Sequence, residues 1–238
     1  MKIIFVVFLF IFSNHSYCQS TAEVAEPHWL IMEGKHITYF FQDSTLGADI
    51  LKHFINEHEE AYEKINKVFQ ADLPQKMIFY VWYDAGLAKR ILHHDLGFTD
   101  PETCTSNTLV TQTIGHEMTH TLAYWGWGRK PDNITRFINE GVAVAFDQNP
   151  NIKYLEAQKA IENTKIHSVL EIWKDNDTKA NILYPVAGAF LTFMYAESTP
   201  HQFERLIKDQ TVEGAEKIYG KERFDTMIDE FNAWIGLQ

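Results

Sequence analysis

The chain reads as an α+β protein: a small mixed front part with a sheet, two helices at a cleft, and an all-helical C-terminal part. Three observations predict this. Ile37–Phe41 and Met77–Tyr83 are short runs dense in β-branched and aromatic residues, as buried strands are. Between them, apolar residues recur at helical spacing from Ile50 to Phe69. Beyond Pro150 the pattern is that of helices throughout. No internal repeat or low-complexity linker divides the chain, and at 45% hydrophobic it can bury one sizeable core. A single domain is expected over 27–238, with a front part at 27–110, two helices at 111–148 and a helical part at 150–238.

Taken in order, Lys2 precedes an apolar run from Ile3 to Phe12 and then the polar Ser13–Cys18. This is the pattern of a signal peptide over 1–18, and the run is shorter than the ~20 residues that span a bilayer. The expectation is export, to the periplasm or outside the cell, with a lipid anchor at Cys18 as the rival; bulky Tyr17 argues against the anchor. Without residues 1–18 one lysine and no acid is lost, which moves the net charge from −11 to −12. That balance argues against a nucleic-acid partner. Cys104 would then be the one remaining cysteine, so no intramolecular disulfide can form.

The helix from Ile50 carries its stripe through Phe54, Ile55, His58, Tyr62 and Ile65, and Leu73-Pro74 closes it. His58 is read there as a packing residue. Ala85–Leu92 suggests a short helix, Gly97–Ser106 a loop and Asn107–Val110 another strand. His93-His94 reads as two exposed histidines. In the C-terminal part Ser168-Val169-Leu170-Glu171 has the form of a capping box. Pro185 is expected to open a helix that is apolar nearly all round and therefore buried. Gly220 stops one helix before the last, whose stripe is Phe224, Met227, Ile228, Phe231, Trp234 and Ile235.

The chemistry concentrates in Gly115-His116-Glu117-Met118-Thr119-His120. On a helix, His116 and His120 project from one face a turn apart, a spacing that suits two imidazoles converging on one zinc ion. A zinc site for hydrolysis needs a third ligand and an open position. Past Trp125 a Gly- and Pro-punctuated turn runs to Asn133, a candidate N-cap, and a second apolar helix follows. Two helices so joined run back along one another, and the second carries Glu140 beside Gly141, whose missing side chain allows close contact. A carboxylate in so apolar a helix is costly unless paired or metal-bound.

His116-Glu117-Met118-Thr119-His120 followed by Asn139-Glu140-Gly141 resembles the gluzincin metallopeptidases, and more narrowly the small peptidase MA-like domains. The resemblance implies one Zn2+ held by His116, His120 and Glu140, with Glu117 as general base and a peptide or protein as substrate. It also implies a Tyr or His from the helical part as oxyanion donor; Tyr184 is the candidate, with His167 and His201 behind it. A sheet edge near the zinc helix would bind extended peptide. The metzincin pattern is excluded by Ala123 and Gly126. One departure is Val144, where such families often carry an acid that orients a histidine; Asp147 is the substitute considered. Trp125 and Trp127 either wall the cleft or pack around the turn. A zinc-bearing domain that binds peptide or protein without cleaving it is the alternative reading, and retention of Glu117 argues against it. A zinc-free domain with a chance motif is the third.

Overall fold

The computed structural model describes residues 27–42, 46–127 and 133–237. The expected signal segment 1–18, with Cys18, and the turn residues 128–132 lie outside the described residues. Strands β1 (Trp29–Glu33), β2 (Ile37–Gln42), β3 (Met77–Trp82), β4 (Phe98–Asp100) and β5 (Thr105–Leu109) form one mixed sheet in the order β1-β2-β3-β5-β4. β2, β3 and β5 are parallel in the middle; β1 and β4 pair antiparallel at the two edges. Parallel neighbours need a crossover. Helix α1 (Ala48–Phe69) supplies the first, and α2 (Ala85–Leu92) with β4 supplies the second.

The period of two in β2 and β3 decides which face is covered. Ile37, Tyr39 and Phe41 alternate inward beside Met77, Phe79 and Val81, all fully or nearly fully buried. They meet the α1 stripe of Leu51, Ile55, His58, Tyr62, Ile65 and Phe69. Two strands escape the sequence reading. β1 is a half-exposed edge. β4 has three residues and lies inside the expected loop, and β5 begins at Thr105, two residues before the expected strand. Their inward side chains, Thr99, Ser106 and Thr108, are hydroxylic, so the apolar alternation that signals a strand is missing.

The back of the molecule is helical: α3 (His116–Trp127), α4 (Arg136–Phe146), α5 (Lys153–Ile161), α6 (Val169–Lys174), α7 (Ala180–Glu197), α8 (Pro200–Lys208), α9 (Val212–Tyr219) and α10 (Lys221–Ile235). At its centre α7 packs on α4 and α5, with Leu183, Val186, Phe190, Leu191 and Met194 fully buried. Its start differs from expectation. α7 begins at Ala180, and Pro185 sits inside it. The first turn closes on Lys179, whose carbonyl accepts from Ile182 and Leu183 N–H at 2.9 Å each, so helix geometry is set before the ring is reached. α4 and α7 approach closely because each has a glycine where the other helix presses in: Gly141 against Ala187 and Leu191, and Gly188 against Val144. A Cβ on Gly141 would stand 2.9 Å from the Ala187 carbonyl oxygen, and one on Gly188 would stand 2.3 Å from Val144 Cγ1.

Smaller differences concern helix ends. The α4 N-cap is Thr135, accepting from Ile138 N–H at 3.3 Å; Asn133 instead bridges to Asp209. Ser168 does cap α6, through Leu170 N–H at 3.2 Å, while the Glu171 carboxylate accepts from His167 N–H at 3.3 Å. Gly220 ends α9 as expected, with φ of 82°. Trp234 is 44% exposed and stacks on Tyr154 at the rim of the α10 stripe. Among the described residues no helix is long and apolar enough to cross a membrane.

His58 carries a consequence for stability. It is buried, stacks on Phe54 and donates from Nδ1 to the Phe54 carbonyl at 2.8 Å. Burial pushes its pKa down to about 4, although that hydrogen bond opposes the shift. The unfolded chain restores a value of about 6.5. The unfolded state therefore takes up a proton that the native state refuses. This contribution is intact above pH 6.5 and is lost as pH falls toward 4, by about 3 kcal/mol across the window. Urea unfolding between pH 4 and 7 should show a flatter stability curve for His58→Phe than for the wild type.

Candidate metal centre

His116 is the first residue of α3, which places the whole motif in its first helical turns. The Thr119 hydroxyl donates to the Gly115 carbonyl at 2.7 Å and secures this end. The rings of His116 and His120 lie 5.1 Å apart at 83° to one another. α4 packs against α3 and brings Glu140 to them. Glu140 Oε2 stands 3.3 Å from His116 Nε2 and 3.8 Å from His120 Nε2, and all three ligand atoms lie within 4.8 Å of one another. Two donors about 2.1 Å from a tetrahedral ion stand about 3.4 Å apart, so the distances and the N, N, O donor set both fit zinc. Among the described residues no other group of three or more His, Cys, Asp or Glu could hold a metal.

The three groups perturb one another. Burial works against charge on His116, yet its hydrogen bond to Glu140 and the negative charges of Glu117, Glu140 and Asp147 hold its pKa above the ordinary value. In His120 burial and the neighbouring His116 prevail over the two glutamates, and its pKa is lowered. Burial would raise Glu140, but the His116 hydrogen bond and the charges of both histidines and Arg136 bring it below the usual carboxylate range.

Glu117 points elsewhere. It is 4% exposed, and each carboxylate oxygen has its own donor. Gln112 Nε2 donates to Oε1 at 2.8 Å, and the Thr99 hydroxyl donates to Oε2 at 2.7 Å. Neither donor stands out in the sequence, because Thr99 falls in the stretch that reads as a loop and Gln112 in the short segment between the expected strand and the histidine helix. The one signal is the run of hydroxyl and amide residues Thr105-Ser106-Asn107-Thr108 in a strand position.

A cleft of about 580 Å³ opens beside Glu117, His120 and Glu140. One wall is β4 with Pro101 and Glu102; the others come from Tyr124, Ile134, Tyr184, Ile207 and Gln210. A smaller cavity of about 270 Å³ is lined by His116, Gln112 and Asp147 and shares Tyr184 with the cleft. The Tyr184 ring is 6.0 Å from that of His116, with the Arg136 guanidinium 5.8 Å from its centre. Burial and the Glu140 charge raise the Tyr184 pKa against the pull of Arg136, so the phenol stays protonated.

The remaining candidates fall away from the centre. His167 and His201 are exposed, and neither lines the cleft. Trp125 donates to the Pro101 carbonyl at 2.8 Å, and Trp127 packs on Phe69 and Phe203; both serve the packing around α3. The Asp147 carboxylate pairs with Lys153 and accepts from Asn149 N–H, although its charge is felt at His116. Val144 packs against Gly188. His93 and His94 are exposed; His94 reaches the rim of the cleft.

No protein-family model and no curated protein matches the chain. Among solved structures, a two-domain M1 zinc metallopeptidase, a mutant bound to L-arginine, aligns with a TM-score of 0.50 at 9% identity. The alignment covers 84% of this chain and 48% of that one, so the chain spans about half the length of the protein it matches. At that identity the likeness speaks for the arrangement of sheet and helices alone.

Proposed function

We propose that the protein is a zinc-dependent peptidase in which His116, His120 and Glu140 hold the metal and Glu117 is the general base. One observation carries the reading: a buried carboxylate on the same helical turn as two ligands lines the cleft, yet is held by Gln112 and Thr99 and is not part of the ligand set. When bound, zinc supplies Lewis acidity, activating a water molecule near neutral pH and polarising the scissile carbonyl. Glu117 accepts the proton of the attacking water and returns it to the leaving amine. The protonated Tyr184 hydroxyl donates to the oxygen on which charge develops. An extended substrate lies along β4, the outer strand on the cleft side, and pairs with its backbone. Export is part of the same proposal and rests on the pattern of residues 1–18.

The engagement of Asp147 by Lys153 favours a second reading, a zinc-bearing domain that binds peptide without cleaving it, because the group proposed to orient a histidine is already paired. Hydrolysis of a quenched-fluorescent peptide library by the purified protein separates the two. Activity should vanish on dialysis against a chelator and return with one equivalent of zinc. A protein that takes up one zinc and binds peptides but releases no products would establish the second reading.

A further inference from the structure

The β4–β5 hairpin ends in a chain of donors aimed at Glu117. Gln112 is oriented first. Its Oε1 accepts from the Thr108 hydroxyl at 2.9 Å and from Leu109 N–H at 3.3 Å, which leaves its Nε2 to face the carboxylate. A reversed amide would set oxygen against oxygen, so these bonds fix which way it points. Gly97 provides the room. Its φ is +84°, and a Cβ there would stand 2.6 Å from Gln112 Nε2. On the other side Ser106, fully buried, lies 2.9 Å from the Thr99 hydroxyl. With the Thr99 proton given to Glu117 Oε2 at 2.7 Å, Ser106 is the donor in that pair.

We infer that Thr99 and Gln112 are positioning residues for the general base: together they fix the direction of the Glu117 carboxylate toward the cleft. The inference rests on the proposed peptidase reading and deepens it. The physical argument is geometric. Glu117 has three rotatable side-chain bonds, and its helix fixes none of them beyond the first. Two donors from one hairpin, one per oxygen, hold the plane of the carboxylate as well as its position. A loss of that alignment by about 1 Å costs on the order of 100-fold in rate. Because Thr99 belongs to the strand that also walls the cleft, one donor to the base shares its support with the substrate platform, while Gln112 reaches the carboxylate from the turn after β5.

Thr99→Val keeps the shape and strand preference of the residue and deletes the hydroxyl; Thr99→Ser keeps the hydroxyl. With the zinc-loaded protein and a fluorogenic peptide, Thr99→Val should lower kcat by roughly 10- to 100-fold. KM and zinc content should stay unchanged, and Thr99→Ser should restore most of the rate. Gln112→Met should behave like Thr99→Val. In a Glu117→Gln background Thr99→Val should add no further loss, because the group it positions is gone. A crystal structure of metal-free Thr99→Val, an arm that needs no activity, should show the Glu117 carboxylate turned from its wild-type direction. If the wild type itself fails to hydrolyse peptide, the peptidase reading falls, and this structure alone judges the positioning. A carboxylate unmoved in Thr99→Val overturns the inference, as does a wild-type kcat in that variant or equal impairment in Thr99→Ser.

Discussion

Glu140→Gln is expected to lower zinc affinity by well over the ~10–100-fold typical of residues that touch only a ligand, since a direct donor and its charge are both lost. The substitution preserves size, and the neighbours that anchor α4, Phe137, Ile138 and Val142, are buried independently of the carboxylate. The fold should therefore survive, and a zinc titration should read the ligand loss alone. Glu140→Asp should fall between the two, because its carboxylate is withdrawn by one methylene from the point 3.3 Å from His116 Nε2. Wild-type affinity in Glu140→Gln would exclude a two-His-one-Glu site.

The complementary substitution acts on rate. Glu117→Gln should leave zinc affinity nearly unchanged and reduce peptide hydrolysis by roughly 100- to 10,000-fold, the range general-base catalysis contributes. The surrounding donors can accommodate the amide. Gln112 can still donate to the remaining oxygen, and the Thr99 hydroxyl can turn from donor to acceptor to meet the new NH2. A loss of zinc in step with activity would mean that Glu117 helps to hold the metal and would sink its assignment as base. Circular dichroism and metal analysis on the same preparation distinguish the outcomes.

The metal-ligand candidates were legible in the sequence because their chemistry has a fixed period. The i, i+4 spacing of His116 and His120 survives any packing arrangement, and Glu140 is conspicuous as an acid in an apolar helix. The two main strands and the α1 stripe were legible for the same reason, being long enough to show their period. The supports of Glu117 were not. Thr99 and Gln112 reach it from a three-residue edge strand and the turn after β5, and short polar segments carry no periodic signature. The α7 start is not legible because Pro at the first turn is the common case, whereas here Lys179 closes that turn six residues ahead of the ring. Asn133 and Thr135 are both good caps by type. The choice between them is made by Gln210, whose side chain accepts from Thr135 N–H at 2.9 Å, a contact 75 residues away in sequence.

The close crossing at Gly141 and Gly188, where each glycine admits a side chain of the other helix, makes α4 and α7 one plate, carrying Glu140 on one helix and Tyr184 on the other. The histidines are mounted on a second plate, α3 leaning on α1 and the sheet. A metal held by the three candidate ligands would then be a rivet through both plates. Inserting a bulky side chain at position 141 or 188 would push the helices of the first plate apart and shift its hole relative to the other, although neither glycine lines the cleft. The spacing of two helices would in that sense set the metal geometry as much as the three residues proposed to hold the ion.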